Sequence, residues 1–339
     1  MEAGAAQLAR LDDGGFEAEL GGPDGSHVAT HAAAEDDYVV FVGRHGHTSG
    51  GRTGTKIQSI RSPDQLLARF LKDYPFQPAT AFWRAYEIGH LAESPPPGGR
   101  GLDLGCGDGL LTRIILELIG AGELVGVDVD PDEARLAEGQ GIYERVHVAP
   151  GDRVPEPDAS FDWILSNSVL EHIEPLDPVL AEAARLLRPG GKFVFTVPAE
   201  PFHEFLRGPL RPGASRAAYL AALDRRLAHR AYLSESDWRD TLARHGLYLE
   251  TASSYLTRRQ TRRWETISRF TAGLLVALWG GRRRPIEIQR RLGVRKAGRR
   301  MSGWMASVLG RGLTLGVDAA GAGPGSCLLV YARKAASGS

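Results

Sequence analysis

Between residues 101 and 109 the chain reads Gly101-Leu102-Asp103-Leu104-Gly105-Cys106-Gly107-Asp108-Gly109, and a later apolar run ends on a further acidic residue, Asp128. Three glycines at alternate positions after a short apolar strand let backbone approach a bound ligand closely, and an acidic residue roughly 20 positions on can hold ribose hydroxyls. That chemistry is nucleotide-type cofactor binding. Dinucleotide loops place the third glycine three residues after the second, with a pyrophosphate at the helix N-terminus. Here Gly109 comes two residues after Gly107, and Asp103 and Asp108 flank the turn. Two carboxylates would repel a diphosphate. They suit a ligand with a sulfonium, an α-ammonium and no phosphate, which describes S-adenosylmethionine (SAM).

These residues resemble the first motif of the class I SAM-dependent methyltransferase family, an acidic residue followed by GxGxG. The resemblance runs on. Val125-Gly126-Val127-Asp128-Val129-Asp130-Pro131 is similar to the family's second strand, with Asp128 at the ribose carboxylate. Pro155 to Asp162 leads into Trp163-Ile164-Leu165-Ser166-Asn167-Ser168-Val169-Leu170-Glu171-His172-Ile173, similar to the fourth strand and the segment under the methionine part of SAM. Leu187-Arg188-Pro189-Gly190-Gly191-Lys192 is similar to the turn into strand five. Four matches in order between residues 100 and 198 are far more specific than one glycine loop. The resemblance implies SAM contacts from Asp103, Gly105, Cys106, Gly107, Asp108, Gly109, Asp128, Val129 and Asn167. It also implies an acidic contact to the adenine after strand three. Asp152 is the nearby candidate, displaced by two residues from the usual position, which falls on Pro150. Asp130, just before Pro131, reads instead as a helix cap.

Methyl transfer from a sulfonium is an in-line displacement that depends chiefly on positioning. A hydroxyl acceptor must also lose its proton, and histidine suits that task near neutral pH. His172, after strand four, is the first candidate; its bland reading is a packing or capping residue. His203, just past strand five, is the second, with Glu204, Tyr219, His229 and Tyr232 as alternatives in the same cover. Ser168-Val169-Leu170-Glu171-His172 partly resembles a metal-binding ExxEH of some relatives. Ser168 stands where the first carboxylate would be, so no metal is expected. Arg44-His45-Gly46 resembles the RHG motif of histidine phosphatases, but that domain needs on the order of 150 further residues, whereas a different fold starts near 100. A polar loop accounts better for it, and is likewise a better account of His45 and His47 than zinc binding.

Other features bear on the acceptor. From Arg258 to Arg300 the chain has fourteen Lys or Arg against Glu265 and Glu287, so with zero net charge the remainder carries twelve excess negative charges. Trp264, Ile267, Phe270, Leu274 and Leu278 recur at helical spacing, and Met301, Trp304, Met305, Val308 and Leu309 repeat the pattern. Such a segment can be a lid whose apolar face packs on the sheet while its arginines are solvated or paired. It can also lie on an anionic membrane or hold a lipid-linked acceptor. Nucleic acid is a rival partner, but Ser166-Asn167-Ser168-Val169 lacks the proline and aromatic that base-methylating sites use for stacking. A non-catalytic SAM-fold subunit is a further rival. The expected function is methyl transfer from SAM to a small or lipid-linked metabolite, with oxygen favoured as acceptor atom. Phe82, Trp83 and Tyr86 form one helical face, read as packing against the sheet or as a helix closing over the cofactor.

Positioning these groups requires strands and helices in alternation. Strands are expected near 101–104, 124–128, 145–149, 162–167 and 192–197, then 247–252 and 327–332, with a further one at Tyr38 to Val42. Helices are expected from Pro63, over 80–91 and around 238–244. This pattern predicts an α/β, seven-stranded, mostly parallel Rossmann-like methyltransferase sheet with helical cover insertions and an N-terminal extension. The division expected is an extension over 1–60, partly disordered; N-terminal helices over 61–99; a cofactor-binding core over 100–255 with a helical insertion at about 199–236; a basic helical cover over 256–325; and the last strand and tail over 326–339. Cys106 and Cys327 are the two cysteines, which suggests reduced thiols rather than a disulfide framework. With no evident signal peptide, and an apolar run over 272–279 too short to span a bilayer, a cytoplasmic protein is expected, with peripheral contact to the membrane as one option.

Overall fold

The structure is a computed structural model; it describes residues 62–73, 75, 77–120, 122–273, 301–317 and 324–336. The strand expected at 38–42, the RHG segment with His45 and His47, the arginines from 282 to 300, and Leu274 and Leu278 lie outside the described residues.

The helices α1 (Pro63–Asp73) and α2 (Pro78–Glu93) precede β1 (Gly101–Leu104), α3 (Leu110–Ile119), β2 (Leu124–Asp128), α4 (Pro131–Glu138) and β3 (Arg145–Val148). Next come β4 (Phe161–Asn167), α5 (Asp177–Leu186), β5 (Leu187–Pro198), the cover helices α6 (Pro201–Phe205) and α7 (Arg216–Leu227), and α8 (Glu235–Ala243). The described chain closes with β6 (Leu247–Thr257), α9 (Arg258–Ser268), α10 (Gly303–Thr314) and β7 (Gly325–Lys334). Strand order is β3-β2-β1-β4-β5-β7-β6, with β7 antiparallel to both neighbours and the other pairs parallel. The fold class expected from the sequence is therefore observed.

Strand β1 shows why the sequence reads so clearly. All four of its residues are buried, as are all five of β2, because helices cover both faces. Leu102 and Leu104 enter the layer shared with Val125, Val127, Ile164 and Phe195, under α5 and α8. The opposite face packs on Leu110, Ile114, Trp163, Leu165 and the aromatic side of α1 and α2. Parallel strands present their C-terminal ends along one edge, where open α/β sheets bind ligands. The glycine turn after β1, Asp128 at the end of β2 and Asn167 at the end of β4 share that edge.

The cover is built from separate parts of the chain. Trp83 of α2 lies 5.2 Å from Trp264 of α9 and 5.6 Å from Phe202 of α6, measured between ring centroids. Helix α10 packs on α1 through Ala306 and Gly310; a Cβ at Gly310 would lie 3.1 Å from the Asp64 carbonyl oxygen, so the close approach needs glycine. Packing of the apolar face of this helix was one expectation. In the structure its small residues are buried instead, and Trp304, Met305, Val308 and Leu309 are exposed.

Candidate functional site

The turn after β1 passes through the left-handed region at Gly105 (φ 78°), Gly107 (φ 53°) and Gly109 (φ 72°). At Gly105 a Cβ would also stand 2.6 Å from Val169 Cγ2. Glycine is required there for both reasons. Gly109 is the N-cap of α3, and Asp108 Oδ1 accepts the Leu110 N–H at 2.9 Å, so Asp108 stabilises the start of α3 from within the turn. Cys106 is buried, its Sγ facing Gly126, and burial pushes its thiol well up.

Asp128 is 3% exposed. Its Oδ2 accepts the Gly107 N–H at 2.8 Å and its Oδ1 the Asp130 N–H at 2.9 Å. The carboxylate thus ties the glycine turn to β2, at the position from which a ribose would be held. Burial pushes its pKa up to about 6 against the pull of these two N–H donors. Val129 follows, half-buried, and Asp130 caps α4 by accepting from Asp132 and Glu133. Asp152 lies in the turn after β3; its Oδ1 is buried with no hydrogen-bond partner, an acceptor position suited to an adenine amino group.

Asp103 is held differently. Its Oδ2 accepts hydrogen bonds from Thr112 and Tyr143, each at 2.6 Å, and burial raises its pKa to about 6 despite both donors. Tyr143, which the sequence reading did not single out, also packs against Gly109 and Gly126. In this structure Asp103 therefore braces α3 and the segment before β3 against the glycine turn.

Asn167 joins a second group missed in the sequence. Its Nδ2 donates to Glu87 Oε2 at 3.1 Å, and its Oδ1 accepts from Thr196. Glu87, fully buried on α2, also accepts from Arg84 at 2.6 Å, from Ser168 at 2.7 Å and from Tyr255 at 3.0 Å. Burial would raise the Glu87 carboxyl, but Arg84 and the hydroxyl donors outweigh it and hold its pKa below the ordinary range. Ser168 adopts φ 54° to meet this cluster, an uncommon conformation for a residue other than glycine. The visible signal was Arg84 and Glu87, one turn apart among the apolar residues from Ala81 to Ile88 of this helix.

The catalytic candidates are brought near one another by the cover. His172 is buried after β4, and its Nδ1 donates to the Ala228 carbonyl at 3.0 Å. Its ring centroid is 5.3 Å from that of His229. His203 on α6 bonds Asp224 at 2.8 Å and packs on Tyr232, whose hydroxyl donates to the same carboxylate. His172 and His203 thus stand at opposite ends of one chain of groups through His229, Tyr232 and Asp224. Around α9 the arginines are paired within the cover: Arg269 with Glu265, Arg258 with Glu204, and Arg262 and Arg263 with backbone carbonyls.

Sheet order and glycine turn define a Rossmann-like cofactor fold of the methyltransferase type. Comparisons agree: residues 102–195 match the methyltransferase domain family. A probable S-adenosylmethionine-dependent methyltransferase of Mycolicibacterium smegmatis is 33% identical over 121 residues, 34% of this chain and 46% of that protein. The ubiquinone biosynthesis O-methyltransferase of Xanthomonas oryzae is 33% identical over 100 residues, 28% of this chain and 41% of that one. A solved putative sarcosine dimethylglycine methyltransferase from Galdieria sulphuraria aligns with a TM-score of 0.44 at 18% identity, covering 75% of this chain and 83% of that one. The chain spans less than half the length of the curated relatives it matches. Residues 102–195 thus match a methyltransferase domain, with SAM as the cofactor that the SAM-dependent relative points to.

Proposed function

We propose that this chain transfers the methyl group of SAM to an oxygen of a small or lipid-linked metabolite held under the helical cover. The observation that carries this reading is the enclosure of the sheet edge beside the glycine turn. Helix α2 closes over the end of β4 through Glu87, and its Trp83 packs on Phe202 of α6 and Trp264 of α9, with Tyr232, from the segment after α7, stacked on Phe202. An enclosed acceptor can be aligned with the sulfonium and shielded from water, which supplies much of the rate for an in-line displacement. In this reading Asp128 holds the ribose, Asp152 the adenine, and the glycine turn with Val129, Cys106 and Asn167 lines the cofactor. The hydroxyl proton leaves at the histidine cluster around His172, with His203 at its outer end. An O-methyltransferase among the similar proteins supports the choice of oxygen.

The exposed apolar residues of α10 favour a lipid-linked acceptor. Trp304 is 71% exposed and Val308 63%, and the sequence before them carries nine Lys or Arg between 282 and 300. Apolar side chains beside dense positive charge suit an anionic membrane surface. No helix among the described residues is long and apolar enough to cross a membrane, so contact would be peripheral. The test is transfer of a labelled methyl from SAM into cell extracts divided into aqueous and lipid phases. Label in the lipid phase with wild type and none with Asp128→Ala supports the proposal. Label confined to nucleic acid or protein would refute it.

A further inference from the structure

Glu171, His172 and His229 each offer a donor atom within 4.8 Å of the others. They come from two places, the turn after β4 and the segment after α7, 57 residues apart. Glu171 is 3% exposed, and its Oε2 is buried without a hydrogen-bond partner. A buried carboxylate oxygen left unsatisfied is costly and calls for an occupant. The imidazoles are both oriented from behind. His172 Nδ1 faces the Ala228 carbonyl, which can only accept, so that nitrogen carries the proton and Nε2 the lone pair. Tyr232 gives its only proton to Asp224, so its oxygen accepts from His229 Nδ1 at 3.0 Å, and His229 likewise keeps its lone pair on Nε2. Histidines that ligate metals are oriented in this way, by a carbonyl or polar group on the other nitrogen.

From this geometry we infer that Glu171, His172 and His229 form a binding site for one divalent transition metal of the zinc type. Two imidazole nitrogens and one carboxylate oxygen are a donor set that catalytic zinc sites use, with a further position open. His172 Nε2 lies 4.0 Å from Glu171 Oε1. Tetrahedral ligands at about 2.0–2.1 Å from zinc sit roughly 3.3 Å apart, so binding would draw the three donors together by up to about an ångström or more. Glu171 also lines a cavity of about 240 Å³ with Leu170, Val197, Arg230 and Trp238, which supplies a way in. Arg84, whose charge acts on Glu171, is already paired with Glu87. Sequence spacing alone argued against a metal because Ser168 replaces a carboxylate; His229 is a donor that spacing could not reveal. A metal here would occupy the Nε2 lone pairs and so supply Lewis acidity beside the end of β4 in place of His172 as base, a consequence that rests on the methyl-transfer reading, whereas binding itself does not.

The test uses the full chain, stripped with a chelator and titrated with Co(II), whose visible absorption reports its coordination, followed by competition with Zn(II). Wild type should bind one Co(II) per chain and release it to Zn(II). Glu171→Gln and His229→Gln should each weaken binding more than the ~10–100-fold typical of losing only a second-layer partner. His203→Gln, a neighbouring histidine outside the triad, should bind as wild type does. Thermal melting checks each variant, and if His229→Gln does not fold, Glu171→Gln carries the comparison. Absence of stoichiometric binding in wild type, or undiminished binding in a folded Glu171→Gln protein, would overturn the assignment. SAM calorimetry on the same samples separates this from failure of the cofactor site, since SAM binding should survive both triad substitutions.

Discussion

The cofactor half of the edge and the acceptor half are built on opposite plans. Around β1 and β2 the contacts are local in sequence: Asp128 reaches Gly107, Asp108 reaches Leu110, and Asp130 caps its own helix. Around β4 and β5 they are distant: Glu87 meets Ser168 and Tyr255, Trp83 meets Trp264, and His172 meets Ala228. One half is a motif carried by backbone, the other a junction of side chains. In the proposed reading the backbone motif would hold the cofactor whatever the cover looks like. A junction can be rebuilt for another acceptor without disturbing the motif.

The junction should be the more fragile half. Glu87→Ala leaves the buried Arg84 uncompensated, and breaking such a pair typically costs about 3–5 kcal/mol. Urea unfolding should show that loss, and pairing Glu87→Gln with Arg84→Met should recover most of it. A loss below about 1 kcal/mol would mean that the network does not hold α2 on the sheet.

The cofactor half carries a pH signature instead. Asp128 has its folded pKa raised to about 6 from an ordinary 3.8, so the folded state binds the proton more tightly than the unfolded chain. Its contribution is therefore greatest below pH 3.8, falls as pH rises towards 6, and is constant above. At 1.36 kcal/mol per unit the change is on the order of 3 kcal/mol. Asp128→Asn should remove that share, so the SAM-free variant loses less stability than wild type between pH 4 and 6. Parallel stability curves would contradict the burial argument.

A smaller effect is expected at the glycine turn. Gly105→Ala forces a Cβ into a φ of 78° and into contact with Val169, at a cost of about 1–3 kcal/mol, with weaker SAM binding. Melting temperature and calorimetry should fall together. The smallest change in stability belongs to the cover's surface: Trp304→Ser should leave stability within about 0.5 kcal/mol while reducing flotation with anionic vesicles. Unchanged flotation would return α10 to a purely structural role.

The same contrast explains what was legible in the sequence. The central strands β1, β2 and β4 could be placed because both faces of the parallel part of the sheet are buried, which writes apolar runs between glycine and proline breaks. Gly105, Gly107 and Asp128 could be placed because their roles follow from backbone geometry over about twenty residues. Glu87 and Tyr143 could not. Their partners lie across the fold, and a carboxylate on an apolar helix looks the same in sequence whether its neighbour is water or Arg84. For α10 the apolar spacing allowed either a packing face or a membrane-facing one, and only the structure decides against the first: close approach to α1 selects Gly310 and Ala306 and turns Trp304, Met305, Val308 and Leu309 outward.

The most direct test of the account is calorimetric titration of SAM into the full wild-type chain and into Asp128→Ala, with thermal melting of both as a folding control. The account predicts one SAM per wild-type chain and a loss of at least about a hundredfold in affinity for a folded Asp128→Ala protein, consistent with two or more charge-assisted hydrogen bonds removed. Equal affinity in the two proteins would contradict it.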